Sequence, residues 1–255
     1  MYSELTDIKR PRGIFTYNTG CHLLGAPILF LNKIKHSIQG YTSPRPFPIS
    51  EFQRAIKYDD KVVQNWMKYL HQYTGMNSEI KDRTILELGP GADLGIGIIL
   101  LKKGAQKYNA LDVNNLVKSV PDQFYQKLFS YLEDINDDNH GISIDFLRSQ
   151  LQLTCMGNND RLNYICNQDF DLSVFTGEEI DFVFSQAAFE HFDNVEQTVS
   201  QLSKIVKPGT ILIAEVDLKT HTSWIRDLDP LNIYRYSDFI YNLFKFRGSP
   251  NRLRP

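Results

Sequence analysis

Cysteine is scarce in this chain: Cys21, Cys155 and Cys166 are the only three among 255 residues. An odd number at these spacings matches neither a disulfide framework nor a zinc site, and it fits a reducing, cytoplasmic setting. No charge sign predominates. The 28 Lys and Arg against 30 Asp and Glu give a formal charge of -2 and a pI near 6.3. Overall attraction to a phosphate backbone is thereby excluded, and no nucleic-acid partner is expected, although Arg247, Arg252 and Arg254 gather near the C-terminus. No apolar run reaches the ~20 residues of a membrane span. The run from Leu23 to Leu31 follows Lys9, Arg10 and Arg12, but Pro27 interrupts it, Asn32 and Lys33 follow, and no small-residue cleavage site appears. A signal peptide is set aside on those grounds, and the segment is expected to pack over the rest of the fold. Internal repeats are also missing.

What is present is ordinary globular composition, 42% hydrophobic and 23% charged, enough for one α/β domain with an appended segment. Residues 1–50 are expected to be an irregular lid ending in "YTSPRPFPIS", where Pro44, Pro46 and Pro48 lack the donors a helix needs. Residues 51–255 are expected to form the domain. A helix is predicted from Ser50, which can cap it, because Ile56, Val63, Met67 and Leu70 recur at helical spacing. "TILEL" reads as a strand, a helix after the next glycines ends at Gly104, and "YNALDV" reads as a second strand. Pro121 opens a helix carrying Phe124, Leu128 and Leu132. "EDINDDNHG" is polar and expected to be exposed. "LNYIC" and "IDFVFS" look like further buried strands; a helix with Val195, Val199, Leu202 and Val206 stops at "KPGT" before the strand "ILIAEVDL". Strands alternating with helices predict a Rossmann-like, doubly wound, mainly parallel sheet with helices on both faces.

In such sheets ligands bind beyond the carboxyl ends of the strands, where strand order reverses. The stretch "ILELGPGADLGIGIILLKKGA" places Gly89, Gly91 and Gly95 there. Glycines let a ligand approach the backbone, and the following helix offers free amides. The spacing is G-x-G-x-x-x-G, one residue wider than the dinucleotide fingerprint, and no Gly-Lys-Ser/Thr follows. Glu87 and Asp93 flank the turn, and two carboxylates would repel a pyrophosphate. S-adenosylmethionine, with a sulfonium and an ammonium outweighing one carboxylate, suits them better. Asp112 ends the second strand at the distance where an acid accepts from a ribose hydroxyl, or it caps the following turn.

The ordered motifs "LELGPGADLG", "ALDVNN", "IDFVFSQAAFEHF" and "KIVKPGTILIAEVDL" resemble the class I S-adenosylmethionine-dependent methyltransferases, particularly the type 11 small-molecule enzymes, over about Thr84 to His221. The resemblance implies that Glu87, Gly89 and Gly91 line the methionine end of the cofactor and that Asp112 holds the ribose. It implies Asp169 near the adenine amino group, with Asn167 or Gln168 as alternatives, and Phe170 against the ring. Ser185 and Gln186 would border the methyl group, or Ser185 is a satisfied polar strand end.

The implied reaction is in-line methyl transfer to a small organic acceptor, in which the protein aligns the reactants, excludes water and removes a proton where needed. No metal-ligand cluster is evident. His221, following the fifth strand, and His191, in "FEHF", are the acid–base candidates, His191 having a backbone-bonding role as its alternative. His22 and Tyr41 lie in the N-terminal segment, and Phe15, Tyr17, Tyr41 and Phe47 hint at a partly apolar acceptor. The family usually adds an antiparallel strand pair after the fifth strand; here "SDFIYNLFKF" supplies a helix and the chain stops at "NRLRP". That pair is therefore expected to be missing, through truncation or a five-stranded core. A catalytically inactive binding protein on the same fold is the alternative, with an NAD-dependent oxidoreductase or an RNA methyltransferase behind it.

Overall fold

The computed structural model describes residues 14–40, 47–75, 79–135, 142–246 and 249. Tyr41, Pro44, Pro46, Arg247, Arg252, Arg254, the basic residues before Ile14 and most of "EDINDDNHG" lie outside the described residues, as do the side chains of Phe15 and Tyr17. In chain order the helices are α1 (Ile14–Gln39), α2 (Phe52–Thr74), α3 (Gly95–Lys102), α4 (Asp122–Asp134), α5 (Ile144–Cys155), α6 (Val195–Ile205), α7 (Ser223–Arg226) and α8 (Asp238–Phe244). The strands are β1 (Thr84–Leu88), β2 (Lys107–Asp112), β3 (Leu162–Cys166), β4 (Phe182–Gln186) and β5 (Ile211–Glu215). The chain divides into a larger unit, Thr42–Val216, and a smaller one made of Met1–Tyr41 and Asp217–Pro255. The expected 1–50 segment therefore runs across a unit boundary.

The larger unit carries the sheet. Its five strands, in the order β3-β2-β1-β4-β5, are all parallel, so the order reverses between β1 and β4, which both leave their carboxyl ends at one edge. The period of two along each strand sorts the core. Ile85, Tyr108, Ala110, Phe182 and Phe184 pack with α2, α3, α4 and α5 on one face, whereas Leu86, Leu88, Leu111 and Val183 pack with α6 on the other. Trp66 of α2 lies flat on Phe184, with ring centroids 4.6 Å apart. Glu87 shares the face of Ile85, and so the strand drives a carboxyl into the layer beneath α2 and α3.

Two expectations fail in detail. Residues 14–39 are not irregular: they form α1, with Pro27 inside it, a residue that removes one backbone bond and crowds the preceding turn without ending the helix here. Ser50 does not cap α2; a single turn, Ile49–Glu51, leads into it, and the helix begins at Phe52 without a side-chain cap. The helix α5, capped by Ser143, which accepts from the Phe146 amide, had no sequence assignment.

Within the smaller unit α1 is held by the 217–246 segment. The Asn232 amide donates to the Cys21 carbonyl at 3.0 Å and the Tyr236 hydroxyl to the His22 carbonyl at 2.8 Å. A Cβ at Gly25 would run into Tyr236 and Asn232, so glycine there permits the close approach. Asp229 secures the same segment through paired bonds from Arg235 at 2.6 and 2.9 Å.

Candidate cofactor site

The chain leaves β1 through Gly89 and Gly91, both at positive φ, 73° and 83°. Side chains rarely adopt that region, so the turn requires glycine. At Gly89 the packing requires it too, because a Cβ would stand 2.6 Å from the Cβ of Ala188. The turn then enters α3, where Asp93 Oδ1 accepts from the Gly95 amide at 2.8 Å, and a negative group at a helix N-terminus is favoured.

Asp112, closing β2, clasps the turn. Its Oδ2 accepts from the Gly91 amide at 3.3 Å and its Oδ1 from the Asn114 amide at 2.8 Å. Asp112 therefore caps its own turn, as one of the two sequence readings expects, and also touches the glycine loop. An ionised carboxyl has about four acceptor positions, so capacity remains for a hydroxyl. Glu87 is completely buried and accepts from the Tyr108 hydroxyl at 2.5 Å through Oε2; its Oε1 is buried without a donor.

The electrostatics are one-sided. Burial, with Asp93 and Asp112 nearby, pushes Glu87 up to about 8 even though the Tyr108 hydroxyl opposes the shift. Burial likewise lifts Asp112 to about 6 against the Asn114, Gly91 and Val113 amides. Asp93 rises to about 6 against the Gly95 amide and Asp59. Asp59, on α2, is raised well above the usual carboxyl range by burial and by Asp93 and Glu87. Among the described residues no lysine or arginine pairs with any of the four. Asp93 and Asp112, ionised above about 6, disfavour a phosphate at the turn and favour a cation, and a cation there would favour the charged form of Glu87.

Asp59 was absent from the sequence reading, yet a signal existed. It stands between Ile56 and Val63 on the apolar face of α2 and is 5% exposed, and an acid in an apolar stripe is unusual without a role. A Cβ at Gly95 would collide with Asp59 and Asp93, so α2 delivers this carboxyl to the start of α3. Tyr58, its neighbour, bonds to the Gln186 side chain.

The remaining sequence candidates sit as follows. Asn167 builds the turn after β3: its amide donates to the Asp112 carbonyl at 2.9 Å and its side chain accepts from the Asp169 amide at 2.9 Å. Asp169 is exposed. Phe170 holds φ 51° and packs on Phe192, centroids 4.7 Å apart. Ser185 is fully buried and donates to the Leu88 carbonyl at 2.9 Å. Gln186 ends β4 and is half-buried, and Ala187 after it holds φ 49°. Residues without a glycine's freedom seldom adopt such angles, and those that do gather at functional sites. His191 ends a short turn, Phe189–His191, of the larger unit, its amide donating to Ala188 at 2.9 Å. His221 belongs to the smaller unit, as does His22, which stacks on Tyr236.

Residues 125–214 match the family described as "Methyltransferase domain". The chain is 28% identical over 140 residues, 52% of its length, to the "Ubiquinone biosynthesis O-methyltransferase, mitochondrial" of Dictyostelium discoideum, and it covers 36% of that protein. It thus spans about a third of that curated relative's length. Among solved structures, a SAM-dependent methyltransferase of Thiobacillus denitrificans in complex with S-adenosyl-L-homocysteine is 13% identical, covering 72% of this chain and 54% of that one at a TM-score of 0.33. An S-adenosylmethionine-dependent methyltransferase of Mesorhizobium loti is 14% identical, covering 55% and 49% at 0.34. The residues matched by the methyltransferase-domain family run from within α4 into β5, about a third of the chain.

Proposed function

We propose that this chain binds S-adenosylmethionine at the β1–α3 turn and transfers its methyl group to a small organic acceptor. The observation that carries the reading is the glycine turn, ringed by Glu87, Asp93 and Asp112 without a basic partner. Glu87 Oε1, buried and lacking a donor, suits the cofactor's ammonium, and Asp112 suits its ribose hydroxyls. Phe170 and Asp169 on the turn after β3 are the proposed adenine neighbours. Gln186 is the proposed border of the methyl group.

The cofactor supplies an activated sulfonium methyl, so the protein's own work is alignment, water exclusion and, for a hydroxyl acceptor, proton removal. His191 is the candidate of the larger unit for that last role. The O-methyltransferase named among the relatives supports an oxygen acceptor. Binding of S-adenosylhomocysteine, measured by calorimetry, tests the first half of the proposal: micromolar affinity is expected, at least tenfold weaker in Asp112→Asn. Transfer of a radiolabelled methyl group to a panel of small hydroxyl-bearing organic acceptors tests the second. Absence of cofactor binding in the folded protein overturns the reading.

A further inference from the structure

The helix α1 presents an apolar stripe that nothing in its own unit uses. Leu23, Leu24, Phe30, Leu31, Ile34 and Ile38 are all exposed, from 42% at Ile34 to 80% at Ile38. With 3.6 residues per turn these six fall within an arc of roughly 120°. Cys21, Gly25 and Leu29, on the opposite face, are buried, and that face already meets Asn232 and Tyr236. A soluble surface scatters its large apolar side chains; a continuous stripe marks a contact surface.

Charge indicates the partner. The helix contains no Asp or Glu, and its charged residues are Lys33 and Lys35. Lys33 donates to the Leu243 carbonyl at 2.7 Å, while Lys35 stands exposed at the margin of the stripe. The whole smaller unit has twelve Lys and Arg against six Asp and Glu, a net of +6, which leaves the larger unit with sixteen against twenty-four, a net of -8. A second copy would bring +6 against +6. No helix among the described residues is long and apolar enough to cross a membrane.

We propose that the exposed stripe of α1 lies on an anionic lipid surface, its leucine, isoleucine and phenylalanine side chains entering the headgroup boundary while basic residues meet the lipid charge. A cationic helix with one apolar face and few residues of opposite charge binds in the interface plane in this way. This proposal is independent of methyl transfer.

The test is flotation of the full chain with vesicles of phosphatidylcholine containing 30 mol% phosphatidylglycerol, compared with phosphatidylcholine alone. Binding at least tenfold stronger to the anionic vesicles is expected, weakening in high salt. Leu31→Glu with Ile34→Glu should reduce it at least tenfold, and Lys35→Glu about fivefold, from the usual contribution of one basic residue near a charged membrane. All these positions are exposed, and circular dichroism with unchanged S-adenosylhomocysteine affinity checks that the variants fold. Three outcomes overturn the proposal: failure of the wild type to float with anionic vesicles, flotation indifferent to the double variant, or a dimer in sedimentation that the double variant disperses.

Discussion

The Tyr108 hydroxyl donates to Glu87 at 2.5 Å across two neighbouring strands, with both side chains fully buried. Register explains the meeting: Tyr108 pairs with Ile85 and Ala110 with Glu87, so the two polar groups are diagonal neighbours on one sheet face. Glycine at position 97 lets the Tyr108 ring pass under α3, since a Cβ there would strike the ring. Tyr108→Phe removes the one described donor to Glu87 and leaves its carboxyl buried with no partner. A loss of about 1–3 kcal/mol is expected in urea unfolding.

Glu87 also gives stability a pH dependence. Its folded value of about 8 lies above the ordinary carboxyl value, so the folded state holds a proton that the unfolded chain has released. That contribution is fully present below the unfolded value and is lost as pH rises through the folded one. Asp93 and Asp112 act in the same direction but finish near 6. Asp59, held well above the ordinary carboxyl range by burial and by Asp93 and Glu87, acts in the same direction, so the Glu87 share between pH 6 and 8 is read as the difference between wild type and Glu87→Gln. Unfolding free energy of the cofactor-free protein should fall across that interval by about 2 kcal/mol, and Glu87→Gln should flatten the slope. An equally steep slope in the variant would contradict the assignment.

Two glycines at similar φ separate strain from packing. Gly157, after α5, has φ 82° and open space around its missing Cβ. Gly89 has the strained angle and Ala188 in the way. Gly157→Ala should cost about 1 kcal/mol, the penalty of a left-handed residue. Gly89→Ala should exceed it by 1–3 kcal/mol, the usual range for overpacking, and should also weaken S-adenosylhomocysteine binding. Melting temperatures of the two variants, with calorimetric titration of each, decide the matter.

Much of this site could be read in the sequence because local chemistry encodes it. Gly89 and Gly91 announce their backbone angles, and the alternation in "TILEL" and "YNALDV" fixes which strand ends carry Glu87 and Asp112. What escaped depends on partners distant in the chain. Asp59 acquires meaning from α3, and the stripe of α1 was hidden because Leu29 and its neighbours make the helix apolar on its buried face as well. The pairing of the N-terminal helix with residues 217–246 rests on contacts such as Asn232 to Cys21, across 211 positions, for which no local pattern exists. Ser50 illustrates the reverse failure: a good capping residue stands one position before Glu51, the residue at the N-cap of α2, and is not used.

Ser185 offers a test between two roles for one residue. As a neighbour of the methyl group it would influence cofactor binding directly. Its hydroxyl, however, is committed to the Leu88 carbonyl at 2.9 Å inside the sheet, at the point where β1 opens into the glycine turn. Ser185→Ala removes this bond between β4 and β1 and leaves the carbonyl without that donor, a loss of about 1 kcal/mol in unfolding free energy. The alanine methyl fills nearly the same volume, so the turn should keep its shape and S-adenosylhomocysteine affinity should stay within threefold of wild type. A tenfold drop in affinity with unchanged stability would instead assign Ser185 to the cofactor, and only the paired measurement of unfolding and titration on the same variant tells these outcomes apart.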